Sequence, residues 1–378
     1  MEFRDLKQQY QLHKKEIDAA IQEVLINADF IGGSKVKQLE EILSKYVGVK
    51  HCITCANGTD ALQLALMAWN VGKGDAAFVP DFTFFSSGEV VPVVGATPVF
   101  VDIDSDTYNI SPDSLEKAVQ YVINETDLRP RVIVAVDLFG QSADFVSIKR
   151  IAEKYSLLIL EDAAQGFGGR IGEKMACSFG DIATTSFFPA KPLGCYGDGG
   201  AIFTDDDEWA ELLRSYRVHG KGQDKYDNVR MGMNSRLDTI QAAVLLEKMK
   251  FFDEEIEKCN LIAEEYTKYL KDIVKTPIVR DDMFSSWAQY TICLHNNLER
   301  ETAQQMLKEN NIPTAVYYKK PMHKQEAFAG QHFPELDYST TDSICECCLS
   351  LPMHSYLDVD EIRNIAEIIK QVKRRTIG

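Results

Sequence analysis

The run from Thr185 to Gly200 holds Lys191 on a short turn between apolar segments, and Asp162, 29 residues earlier, ends the apolar stretch Leu157-Leu158-Ile159-Leu160-Glu161. A turn lysine paired with a carboxylate at the end of a buried strand is the arrangement needed to hold pyridoxal phosphate (PLP) through an imine. In that chemistry Lys191 supplies the imine nitrogen. Asp162 keeps the pyridine nitrogen protonated, so that the ring draws electrons from a carbanion at the substrate carbon.

A cofactor of that kind also needs a phosphate site and contacts to its ring. In Asn57-Gly58-Thr59-Asp60 a strand passes into a helix through a glycine, and the N–H groups of Gly58 and Thr59 at a helix start suit an anion. The same four residues also read as a plain helix cap. Ser186, five residues before the lysine, is a further phosphate donor, Gln165 reaches a phenolic oxygen, and Phe84 stacks on a ring or simply fills core.

Positioning these groups takes strands that end where ligands bind. Short, mostly apolar runs at Ala77 to Val79, Pro98 to Asp102, Val132 to Val136, Leu157 to Leu160, Ile182 to Phe187 and Ala201 to Thr204 read as strands buried on both faces. His51 to Cys55 is another strand, and Thr59 to Trp69 and Asp144 to Lys154 read as helices. The alternation predicts an α/β fold with a mostly parallel central sheet, helices on both faces, and ligands at the carboxyl ends of the strands. A long helical pattern from Asp238 to Ile262 leads out of this unit. We expect a large cofactor-binding domain over residues 1–250 and a smaller C-terminal α+β domain over residues 251–378. In the latter, Trp287 to Leu294 and Thr314 to Tyr318 read as strands, and Thr302 to Glu309 and Asp360 to Lys373 as helices. The polar segment Val122 to Arg131, with Pro130, reads as a surface loop.

Composition excludes several classes. A net charge of −16 over 378 residues argues against a nucleic-acid partner, and Lys373-Arg374-Arg375 reads as a solvated helix end. No apolar run approaches a membrane span and the first residues are charged, which implies a cytoplasmic protein. Nine scattered cysteines imply reduced thiols. Cys52 and Cys55 lie in an apolar strand without a second pair, so no metal site is expected. Gly166-Phe167-Gly168-Gly169 lacks dinucleotide-binding spacing and reads as a turn.

Taken in order, these segments resemble the DegT/StrS-type sugar-nucleotide aminotransferases, a branch of the fold-type-I PLP enzymes. The likeness runs from Phe3-Arg4-Asp5-Leu6 through Asn57 to Leu62, Glu161 to Gln165, Ser186 to Gly200 and Gly232 to Asp238, to Leu351-Pro352-Met353-His354. The resemblance implies that Lys191 carries the cofactor and shuttles the proton. It also implies that Asp162, Gln165 and Phe84 hold the ring, and that Gly58, Thr59 and Ser186 hold the phosphate. It further implies a homodimer with shared active sites, in which Asn234 contacts the phosphate and Arg236 the substrate of the partner subunit. His219 matches a family segment without an assignable role.

Within the family the likeness is greatest to enzymes acting on UDP-linked 2-acetamido-2-deoxy-3-oxo sugars, with L-glutamate as amino donor. The product would serve bacterial surface polysaccharide or lipid A. Where such enzymes read His-Tyr-Pro in the sugar-binding strand, this chain has Tyr317-Tyr318-Lys319, and the resemblance implies that these residues, with His323 nearby, contact the sugar substrate. Loss of the imidazole removes a cationic partner for a sugar carboxylate, which Lys319 could replace, so the 3-oxo-glucuronate and the neutral 3-oxo-GlcNAc stand side by side. A dTDP-3-oxo-6-deoxyhexose or a UDP-4-oxo sugar is the alternative substrate, and a non-catalytic regulatory homologue the alternative class. Dehydratases of this fold carry histidine in place of the lysine, which Lys191 excludes here.

Overall fold

The computed structural model describes residues 1–376 except 225, 332 and 334; the side chains of 373–376, and with them the Lys373-Arg374-Arg375 run, lie outside the described residues. Twelve strands appear among the described residues. They are β1 (His51–Cys55), β2 (Asp75–Pro80), β3 (Thr97–Val101), β4 (Arg129–Val136), β5 (Leu158–Asp162), β6 (Arg170–Ile171), β7 (Lys174–Met175), β8 (Ile182–Ser186), β9 (Gly200–Thr204), β10 (Met283–Phe284), β11 (Tyr290–Cys293) and β12 (Cys348–Leu351).

Seven of them form the central sheet in the order β1-β9-β8-β5-β4-β2-β3. The pairings from β3 across to β8 are parallel, and β9 runs antiparallel to both of its neighbours. Alternate residues of these strands feed different cores, as the two-residue pleat requires. Ala77, Val79, Val132, Val134 and Leu160 pack with Leu62, Leu66 and Val90 of the helices on one face. Phe78, Ile133 and Ile159 pack with Leu115, Val119 and Ile148 on the other. Strands buried this way carry apolar residues at every position, hence the continuous apolar runs.

A separate core joins the helix Phe252–Leu270 and the terminal helix Val359–Thr376 to β11 and β12, through Tyr266, Tyr290, Leu351, Ile365 and Ile369. The domain change proposed near residue 250 falls between this helix and the preceding one, Thr239–Lys248. The helical pattern from Asp238 to Ile262 is therefore two helices rather than one.

Two expectations need correction. Val122 to Arg131 is not a surface loop. The helix Pro112–Glu125 runs into it and β4 begins at Arg129. Pro130 is tolerated because the β2–β4 register shifts beside its partner Ala76, so the missing N–H falls at an irregularity. Thr314 to Tyr318 makes no strand either. Its ladder reduces to one bridge, Ala315 to Ser350, after which the chain turns toward the sheet.

Candidate active site

The carboxyl ends of the parallel strands converge on one cavity of about 770 Å³. Asn57 to Thr59 follow β1, Thr83 to Ser87 follow β2, Asp162 closes β5, Ser186 closes β8 and Lys191 follows it. Gly58, Thr59, Phe84, Asp162, Gln165, Ser186, Lys191, Tyr317, Tyr318 and Lys319 all line it. Positions 58 to 191 meet because their loops leave the same edge of one sheet, and the segment Tyr317 to Lys320 comes to that edge from beside β12.

At the floor of the cavity Asp162 is buried and held on both oxygens. The Ser87 hydroxyl donates to Oδ2 at 2.7 Å and the Ala164 N–H to Oδ1 at 3.2 Å. Burial raises its pKa, while the Ser87 and Ala164 donors and the nearby Lys191 ammonium oppose the shift. Lys191 responds in the opposite sense. Burial lowers its pKa, Asp162 opposes that, and Arg4 adds to it. Its Nζ makes no ion pair among the described residues and lies 5.9 Å from the centroid of the Phe84 ring. A desolvated, unpaired amine reaches its neutral, nucleophilic form at a lower pH than an exposed lysine.

The adjacent acid has a different assignment. Glu161 points to the opposite face of β5, where its carboxylate accepts the N–H groups of Cys177, Phe179 and Gly180 at 2.5–2.9 Å. It fixes the loop leading into β8. Behind it, Asp137 is fully buried, its pKa pushed up by burial and by the Glu161 charge, and its Oδ1 accepts the Ala143 N–H at 3.0 Å. Gly166 makes room for Asp137, since a Cβ there would stand 2.4 Å from the aspartate Cβ.

Beside the acid and the amine, the helix Gly58–Ala68 begins with Asn57 as its cap, whose side chain accepts the Asp60 N–H at 2.8 Å. That leaves the N–H groups of Gly58 and Thr59 without an intrahelical partner at the positive end of the helix dipole. A Cβ on Gly58 would fall 2.8 Å from Ser186 Cβ, so glycine keeps the helix start and Ser186 in contact. The Thr59 and Ser86 hydroxyls are 2.7 Å apart. Backbone amides, three hydroxyls and a glycine whose replacement would press on Ser186 make a phosphate-sized cradle. With Asp162 and Lys191 alongside, these residues fit PLP.

The ring contacts are partly engaged among themselves. Gln165 donates Nε2 to the Tyr318 hydroxyl at 3.1 Å and accepts the Phe139 N–H on Oε1 at 2.9 Å. Phe84, half exposed, and Tyr318 have ring centroids 6.4 Å apart. His323 does not line the cavity. Its backbone N–H and Nδ1 lie 2.8 and 2.6 Å from the two oxygens of the buried Asp81, and its ring stacks on Tyr338. The expectation of a sugar contact gives way to an anchor for the loop before it, because Asp81 is an acceptor in need of a donor.

Asn234 and Arg236 also stand apart, on a shallower concavity of about 420 Å³ with Ile31 and Asp238, adjoining the cavity through the shared Asp198. His219 lines a third concavity with Lys221 and Arg230. Sequence reasoning missed Ser86, Ser87, Asp198, Gln289 and Lys320 on the cavity wall. The one available signal was position, since Ser86 and Ser87 lie just past β2, at the ligand edge of the sheet. Among the described residues no helix is long and apolar enough to cross a membrane and no metal-binding cluster occurs. All nine cysteines are buried free thiols.

Comparisons with known proteins agree with this geometry. The chain is 46% identical over 366 residues, 97% of its length and 98% of the relative's, to the UDP-2-acetamido-2-deoxy-3-oxo-D-glucuronate aminotransferase of Pseudomonas aeruginosa. It is 40% identical to a pleiotropic regulatory protein of Geobacillus stearothermophilus, with 98% of each chain covered. The crystal structure of a DegT DnrJ EryC1 StrS aminotransferase from Brucella abortus superposes with a TM-score of 0.95 at 47% identity, over 98% of this chain and 99% of that one. Residues 11–370 match the model of the DegT/DnrJ/EryC1/StrS aminotransferase family, and the chain therefore belongs to that family.

Proposed function

We propose that the protein is a PLP-dependent sugar-nucleotide aminotransferase that moves the amino group of L-glutamate to the 3-oxo carbon of a UDP-linked 2-acetamido sugar. The observation that carries the chemistry is Lys191, an amine with no ion-pair partner among the described residues, set beside the buried Asp162 and the open start of the Gly58–Ala68 helix. PLP, when bound, supplies an electron sink for a substrate carbanion.

The chain's own residues do the rest. Asp162, whose ionised form the Ser87 donor favours, would hold a proton on the pyridine nitrogen. Gly58, Thr59 and Ser186 bind the phosphate, and Phe84 covers the ring. Lys191, once its nitrogen is free, removes the proton from the donor's α-carbon and delivers one to the substrate nitrogen-bearing carbon in the return half. Likeness to the P. aeruginosa enzyme supports a 3-oxo-glucuronate substrate. Tyr317, an uncharged aromatic at the cavity wall, supports the neutral 3-oxo-GlcNAc as the second reading. We further propose a cytoplasmic homodimer in which Asn234 and Arg236 complete the neighbour's site, and a product destined for surface polysaccharide or lipid A.

The test is a pair of half-reactions. L-Glutamate alone should shift the cofactor's absorption from the lysine-bound to the amine form. That amine form is then offered UDP-3-oxo-GlcNAc, its uronate, a dTDP-3-oxo-6-deoxyhexose and a UDP-4-oxo sugar, and the fastest return names the acceptor. No response to glutamate would remove the donor assignment, and no response to any amino donor would favour a regulatory role. Dimer sharing is tested by mixing Lys191→Ala and Arg236→Ala subunits. Recovered activity in the mixed dimer is expected, and none would sink the shared site.

A further inference from the structure

The loop from Tyr317 to His323 is fastened at both ends and charged in the middle. On one side the Tyr318 hydroxyl accepts from Gln165 Nε2, its ring packs edge-on against Phe82, and Cys348 Sγ donates to the Tyr317 carbonyl at 3.5 Å. On the other, the Met322 and His323 N–H groups donate to Asp81, to its carbonyl at 3.0 Å and its carboxylate at 2.8 Å. Between these anchors Lys319 and Lys320 are exposed and line the cavity, and Gln325 Nε2 donates to the Lys320 carbonyl at 3.1 Å. Neither ammonium has an ion-pair partner among the described residues, although their neighbour Lys324 pairs with Asp342 at 2.5 Å.

In a chain of net charge −16, two adjacent unpaired lysines on a rigid loop are set against the overall field. The cavity offsets that field locally, with Lys319 and Lys320 balancing Asp162 and Asp198 on its lining. Depth then decides what the pair meets. The reacting carbon must reach Lys191 at the floor, and the nucleotide must leave through the mouth, where the two lysines stand. The group passing between them carries two negative charges, matching two strongly hydrated point-charge donors.

We propose that Lys319 and Lys320 form the subsite that receives the diphosphate of the nucleotide-linked substrate. The inference rests on reading the cavity as that of a nucleotide-sugar aminotransferase, and it assigns Lys319 to the phosphates rather than to a sugar carboxylate. His323 and Asp81 act as positioning residues for the pair.

Calorimetric titration of the holoenzyme with UDP and with inorganic pyrophosphate tests it. The Lys319→Ala/Lys320→Ala double variant should bind both roughly tenfold more weakly and with a flattened salt dependence. The Arg double variant should recover most of the affinity, and Lys324→Ala should bind as the wild type does. Melting temperature and the cofactor's absorption band confirm that each variant is folded and loaded. Unchanged UDP and pyrophosphate affinity in the double variant overturns the proposal, as does a loss confined to a uronic-acid sugar nucleotide. If the wild type converts with glutamate and UDP binding ignores the lysines, this inference alone falls. If it neither converts nor binds UDP, the underlying functional reading falls with it.

Discussion

Ser87→Ala is the sharpest probe of the acid at the floor of the site. Ser87 is 1% exposed, and its hydroxyl donates to Asp162 Oδ2 at 2.7 Å. A hydrogen bond to an ionised carboxylate contributes about 1.5–3 kcal/mol, and each 1.36 kcal/mol of transition-state stabilisation is tenfold in rate. Removing the donor should therefore slow the glutamate half-reaction by roughly 10- to 150-fold at neutral pH. Burial already raises the Asp162 pKa and the Ser87 donor opposes that rise, so the variant's carboxyl must titrate higher still. Since the ionised form is the working one, the acidic limb of the rate profile should move to higher pH, and the deficit should shrink as pH rises. Stability follows the same sign. A carboxyl whose pKa is raised by folding loses stability as pH climbs through that value, so the variant is less stable than wild type at neutral pH and the gap closes on acidification. Stopped-flow absorbance from pH 5.5 to 9, with thermal melts alongside, measures both. An equal rate deficit at every pH with an unmoved acidic limb would show that Ser87 does not act through the Asp162 charge.

Lys191→Ala should lower the glutamate half-reaction by roughly 10³-fold or more while PLP still binds non-covalently and is lost on dialysis; retained turnover would move the proton transfer elsewhere. Gly58→Ala places a Cβ 2.8 Å from Ser186 Cβ, and overpacking of about 1–3 kcal/mol should weaken PLP binding roughly 5- to 150-fold in an absorbance titration. Unchanged affinity with a lowered melting temperature of the cofactor-free protein would mean the contact is structural only. Asp162→Asn should abolish transamination yet stabilise the cofactor-free protein by about 1 kcal/mol at neutral pH, a gain that fades as pH falls and the wild-type carboxyl takes its proton.

Much of the sheet could be read because burial on both faces leaves a local mark. Ala77 to Val79 or Val132 to Val136 have no polar face to interrupt the run. The Lys191 segment and Asp162 could be read for a different reason, since their chemistry is rare enough to stand out. Ser87 could not, because a serine at a helix start looks the same whether it caps or serves a carboxylate 75 residues away. His323 misled in the same way. Its partner Asp81 lies 242 positions off, and nothing local separates a ligand-facing histidine from one engaged in the fold. β12, with Cys348 and Ser350 among its four residues, lacks a run long enough to notice and takes its identity from β11. Thr314 to Tyr318 carries strand-forming residues, yet tertiary contacts to Gln165 and Cys348 draw it into a turn.

The doubly fastened loop over Tyr317 to His323 separates two kinds of evolutionary freedom. Its anchors reach Gln165, which borders the ring site, and Asp81, which follows β2. Drift at those points disturbs the chemistry itself. Lys319 and Lys320, suspended between them, are exposed, so their replacement should leave Lys191 and Asp162 where they are. Descendants of such a chain can tighten or loosen their hold on nucleotide diphosphates in general through a pair of surface codons, while the reaction they perform is inherited intact.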